Sequence, residues 1–78
     1  MSQIVDFTST YIDFSQPIRP HEFRLTNRFG VQIPDLVFKG TRVQYNQLAQ
    51  GSYFIEWTFE GEFYTVVQEV FSEDLISA

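Results

Sequence analysis

From residue 22 onward the chain alternates apolar and polar side chains in short runs, and a glycine stands at each break between them. The four glycines stand at positions 30, 40, 51 and 61. Breaks at this spacing, between segments rich in Val, Ile, Phe, Tyr and Thr, mark short antiparallel strands. Glycine suits the breaks because tight hairpins need positive φ, which costs it no Cβ clash. The pattern predicts five strands in a meander, at residues 22–28, 31–38, 41–49, 53–59 and 62–71. A helix through this region would lose about 1 kcal/mol at each interior glycine and would break at Pro34.

Period-2 alternation lets the registers be checked against one another. Two-residue turns at Phe29-Gly30 and Lys39-Gly40 place Leu25 opposite Pro34 and Phe38 opposite Thr41. A three-residue loop at 50–52 places Tyr45 beside Trp57 and Val43 beside Phe59. A two-residue turn at Glu60-Gly61 sets Tyr64 opposite Trp57 and Val66 opposite Ile55. All four connections yield one apolar face: Phe23, Leu25, Leu36, Phe38, Val43, Tyr45, Tyr53, Ile55, Trp57, Phe59, Tyr64, Val66 and Val70.

The opposite face of the last hairpin carries Phe54, Phe63, Val67 and Phe71 among Glu56, Thr58, Thr65 and Glu69. A solvated sheet face is ordinarily polar, so these residues imply a second contact. Either the N-terminal segment folds over them, or they meet a protein partner or a second copy of the chain.

Residues 1–14 admit two readings. Ile4, Phe7, Tyr11 and Phe14 have helical spacing behind Ser2 as a candidate N-cap, but the β-branched Val5, Thr8, Thr10 and Ile12 favour a strand or an irregular lid. Residues 15–21 form a connector, extended because each proline pushes its predecessor out of the α region. Residues 72–78 are an acidic tail. The expected fold is therefore all-β: one domain, a five- or six-stranded antiparallel meander forming a small or half-open barrel, which dimerisation could complete.

Composition narrows the chemistry. The 78 residues carry ten acids against five bases, for a formal charge of −5, with 18% aromatic residues and no cysteine. A chain this size buries about 60% of its unfolded surface, so its stability is marginal. The missing cysteines exclude disulfides, thiolate nucleophiles and zinc-thiolate sites. The negative charge argues against direct binding to nucleic-acid phosphates, which takes clustered Lys and Arg. No apolar run is long enough for a leader or a membrane span, so a soluble, cytoplasmic protein is expected.

No catalytic, metal or cofactor site is read. The lone His21 follows the proline connector without an acid to orient it. Glu60 and Glu62 flank a turn, where carboxylates are ordinarily solvated. Glu56 lies mid-strand among aromatic neighbours and serves best as a charge against wrong pairing. No glycine-rich phosphate loop occurs. The PxxP sequence Pro17-Ile18-Arg19-Pro20 could dock on a polyproline-binding groove, but it reads more simply as linker.

Charge is unevenly spread. Residues 1–50 hold all five bases and four acids, whereas residues 51–78 hold six acids and no base. An acidic, aromatic hairpin suits a basic partner, since charge steers the encounter and rings supply buried area. The expected partner-binding residues are Phe54, Glu56, Glu60, Glu62, Phe63, Glu69 and Phe71, on a non-enzymatic accessory or inhibitory subunit.

A second function follows from a resemblance. Phe23-Arg24-Leu25 followed by Gly30, Val43-Gln44-Tyr45, Gly51-Ser52-Tyr53-Phe54-Ile55-Glu56-Trp57 and Tyr64-Thr65-Val66-Val67 together resemble small calycin-type barrels of the MoaF-like and phenolic acid decarboxylase kind. The resemblance implies a lipocalin-like barrel that carries a small apolar or aromatic molecule, and gives Tyr45, Trp57 and Tyr64 as its pocket. Such barrels close with eight or more strands, so a shorter chain would have to be an open version or be completed by a second copy.

Overall fold

The computed structural model describes residues 3–71. Seven strands form there: β1 (Ile4–Phe7), β2 (Tyr11–Phe14), β3 (Phe23–Asn27), β4 (Val37–Lys39), β5 (Arg42–Gln44), β6 (Gly51–Phe59) and β7 (Glu62–Val70). A single 3-10 turn, Pro20–Glu22, precedes β3. The strands make two antiparallel sheets, ordered β1-β2-β5-β4 and β3-β6-β7. One meander of five or six strands is thus replaced by two sheets. The expected acidic tail, residues 72–78, lies outside the described residues.

The N-terminal segment is a hairpin, not a lid. Thr8 breaks the strand because its hydroxyl oxygen accepts from the Thr10 and Tyr11 amides, at 3.2 and 3.0 Å, a local turn that competes with the ladder. β2 then pairs with β5, with Asp13 directly opposite Arg42. The guanidinium donates to both carboxylate oxygens of Asp13, at 2.7 and 3.0 Å, and covers the Tyr11 ring 3.9 Å from its centroid. This paired geometry holds the Asp13 carboxyl below its ordinary pKa, chiefly through the hydrogen bonds from Arg42.

β5 therefore does not continue into a strand at 41–49 that pairs with β6. After Gln44 the chain follows the N-terminal hairpin loop: the Tyr45 and Leu48 amides donate to the Thr10 and Ser9 carbonyls, at 3.0 and 2.8 Å. Tyr45 and Leu48 are both buried, and residues 45–50 carry the chain across to the other sheet. The expected loop at 50–52 is not formed, because Gly51 and Ser52 already pair with Val70 and Glu69 as the start of β6. The expected neighbours Tyr45 and Trp57 are on strands of different sheets or their extensions, joined through the core rather than by ladder bonds.

Residues 31–38 also depart from the expected strand. The Asn27 side-chain oxygen accepts from the Phe29 and Val31 amides, at 2.9 and 3.0 Å, which makes the turn one residue longer. Ile33, not Pro34, then lies against Leu25, its amide donating to the Leu25 carbonyl at 2.9 Å. Pro34 has no amide hydrogen to offer, and Asp35 takes a left-handed φ of 61°, so the ladder ends there. In the β4–β5 hairpin the turn falls on Gly40 and Thr41, and Phe38 meets Val43 instead of Thr41.

The two sheets pack inner face to inner face. Phe14 on β2 meets the edge of Trp57 on β6 at 5.5 Å between centroids and Phe23 on β3 at 6.0 Å. Phe23 reaches Phe38 on β4 at 5.7 Å. Every residue of the expected apolar face is buried or packed against the core. Ile12, Phe14 and Ile18 join it from segments outside the expected meander, and Leu48 joins it from the end of the expected strand 41–49. Edge contacts between rings add about 0.5–1.5 kcal/mol each beyond the area they bury. Among the described residues, no helix is long and apolar enough to cross a membrane.

Candidate functional site

The outer face of β3-β6-β7 carries the residues of interest, and the β6–β7 hairpin positions them. Its two central turn residues, Glu60 and Gly61, have φ of 53° and 80°. Such a turn matches the twist of paired strands. The ladder runs without a break from Phe59↔Glu62 to Gly51↔Val70, with Trp57 opposite Tyr64 and Ile55 opposite Val66, as expected. With Tyr53, Ile55 and Trp57 buried inside, alternation sends Ser52, Phe54, Glu56 and Thr58 outward, with Phe63, Thr65, Val67 and Glu69 beside them.

Cross-strand pairing orders this face into rows. Phe54 lies between Thr26 and Val67, Glu56 between Arg24 and Thr65, and Phe63 opposite Thr58. Ser52 donates a hydrogen bond to Glu69 across the same pair of strands. The N-terminal hairpin belongs to the other sheet and comes beside this face only at the β7 edge, where Ile4–Phe7 and Val66–Gln68 border a groove. Phe63 is 65% exposed, and Val67 and Phe71 are 55% exposed; Phe54 is half-buried between its row partners. Glu60 and Glu62 are exposed at the hairpin tip. The seven expected partner-binding residues thus fall on one hairpin, five along its outer face or at its end and two at its tip.

Arg24, not among the expected site residues, stands beside Glu56, its Nε 3.8 Å from Oε1. The separation exceeds a hydrogen bond, and an exposed pair of this kind contributes little to stability. The strand order brings in Arg24, because β3 takes the place beside β6 that residues 41–49 were expected to fill.

The residues expected to line a ligand pocket are used in packing. Tyr45 is buried and its hydroxyl donates to the Thr8 carbonyl at 2.8 Å. Trp57 stacks on Tyr64 at 5.5 Å with 16° between the rings, and its indole N–H donates to the Gln3 side-chain oxygen at 3.2 Å. Trp57 also stands in the wall of a surface cleft, beside Phe23 and Phe63. His21 borders the same cleft as Glu22, Arg24 and Glu56. Among the described residues, no three His, Cys, Asp or Glu side chains gather as a metal site would require.

Comparison with known proteins returns no relative: no family model, no curated protein and no solved structure matches this chain.

Proposed function

We propose that the protein is a non-enzymatic interaction module, an accessory or inhibitory subunit that docks on a basic protein surface through the outer face of its β6–β7 hairpin. The observation that supports this reading is the exposure of Phe63, Val67 and Phe71 on a hairpin whose charged residues, Glu56, Glu60, Glu62 and Glu69, are all acidic. Exposed rings give a partner area to bury, and carboxylates of one sign steer a positive surface toward them. The reading is tested by capture from host lysate at low and high salt. Immobilised wild-type protein is expected to hold basic proteins that salt releases. The double variant Glu56→Lys, Glu69→Lys is expected to lose about tenfold or more of that capture, as steering charges govern association. Capture that is unchanged in the variant and insensitive to salt would overturn it.

The two sheets are read as a half-open barrel, parted where β1 and β7 border a groove of about 550 Å³ between Ile4–Phe7 and Val66–Gln68. A second copy is the natural closure for such edges. Light scattering is expected to give twice the chain mass, and a monomer at every accessible concentration would count against closure by dimerisation.

A further inference from the structure

We propose that the cleft between the Pro20–Glu22 turn and the outer face of β6–β7 receives an arginine side chain of the basic protein partner, with Glu56 as its carboxylate and Phe63 as its stacking wall. This deepens the reading of the hairpin as a docking face and rests on it. The cleft measures about 270 Å³ and is bordered by Glu22 and Arg24 on one side and by Glu56, Trp57 and Phe63 on the other. Its chemistry is that of a cation site with an aromatic wall.

Charge complementarity selects the occupant. Among the described residues Glu56 takes part in one ion pair, with Arg24, at a distance too long for a hydrogen bond. Its oxygens therefore remain available to a donor. The Glu22 carboxylate is fixed at the rim, accepting from the Arg19 amide at 3.1 Å. A planar guanidinium can give Glu56 two parallel hydrogen bonds while lying on the Phe63 ring, whereas an ammonium can offer only a point charge. The cleft already has a guanidinium of its own at its edge, loosely held: the Arg24 side chain is 57% exposed. Arg24 is thus a built-in competitor. A partner arginine that makes bidentate bonds displaces it, and its removal favours the partner.

The test is titration of the isotope-labelled full chain with an acetylated tri-arginine peptide, and in parallel with tri-lysine, followed by amide chemical shifts. Shifts are expected to concentrate at residues 21–24, 56–58 and 63, with tri-lysine binding more weakly. Arg24→Gln is expected to tighten tri-arginine about two- to fivefold, the range carried by an exposed ion pair. Glu56→Gln is expected to abolish the concentrated shifts, and an unchanged spectral dispersion in both variants shows that each folds. Shifts spread evenly over Glu60, Glu62 and Glu69, with no effect of Arg24→Gln, would overturn the cleft and leave the docking face standing. No shift anywhere in residues 51–71 would overturn both. Equal binding of tri-lysine would overturn the choice of arginine. Concentration-dependent shifts of the cleft residues without peptide would assign it to a second copy and likewise overturn the proposal.

Discussion

Replacing Trp57 with alanine is expected to bring the protein close to unfolding at physiological temperature. Trp57 is 3% exposed, meets Phe14 edge-on, stacks on Tyr64 and donates its indole N–H to Gln3. It therefore ties β6 to β2, to β7 and to the start of β1. Truncating a buried tryptophan costs about 3–5 kcal/mol in lost transfer energy and cavity formation. A domain of this length has about 4–12 kcal/mol to lose. The melting temperature, followed by far-ultraviolet circular dichroism because the fluorophore is gone, should fall by about 12 °C or more. Phe63→Ala on the outer face should stay within about 0.5 kcal/mol of wild type, as exposed substitutions do. A Trp57→Ala variant that melts with the wild type would show that the two sheets do not depend on this contact.

A steep loss of stability above pH 10 is the second large effect. Burial raises the pKa of the Tyr45 hydroxyl far above the ordinary tyrosine range, with nearby Tyr11 adding to the shift. Tyr53 is raised in the same direction, first by burial. In the unfolded chain these hydroxyls ionise near pH 10, about the free tyrosine value. The folded state holds its protons longer, so their stabilising contribution is complete below about pH 10 and is lost as pH rises above it. Tyr45→Phe separates this from a general alkaline effect. The variant strands the Thr8 carbonyl that Tyr45 serves at 2.8 Å, which should cost about 1–2 kcal/mol at neutral pH. Its stability should then fall less steeply with pH than that of the wild type, with Tyr53 accounting for part of the remaining slope. Urea midpoints measured on both sides of pH 10 check this, and parallel slopes for the two proteins would refute the role of Tyr45.

How far the fold could be read in advance differs from element to element. The turn and register of the β6–β7 hairpin were legible, because Glu60-Gly61 admits one turn and nine paired residues on each strand leave alternation a single register, although β6 begins two residues before the expected strand. The turns at 27–31 and 40–41 were misjudged by one position or more. Their registers depend on a side-chain acceptor at Asn27 and on where Gly40 falls within its turn, details that alternation does not weigh. The second partners of β5 and β6, namely β2 and β3, were not legible, since every strand has two edges and period 2 says which face is apolar, not which neighbour it meets. Contributions from Ile12, Phe14 and Ile18 were hidden for the same reason: β2 and the connector look like peripheral chain until the β2–β5 pairing places them over the other sheet.

The candidate site divides along the same line. The acidic charge of residues 51–71, the outward placement of Phe63, Val67 and Glu69, and the inward set from Phe23 to Val70 follow from residue type, position and a two-residue period, all local properties of the chain. The tertiary structure decided that Phe63, Val67 and Phe71 are exposed among the described residues, that Tyr45 and Trp57 are buried in the core, and that Arg24 stands beside Glu56 with Glu22 on the border of the same cleft. These depend on which distant strands pair, and that choice is made by the fit of whole faces in space, where residues more than thirty positions apart become neighbours.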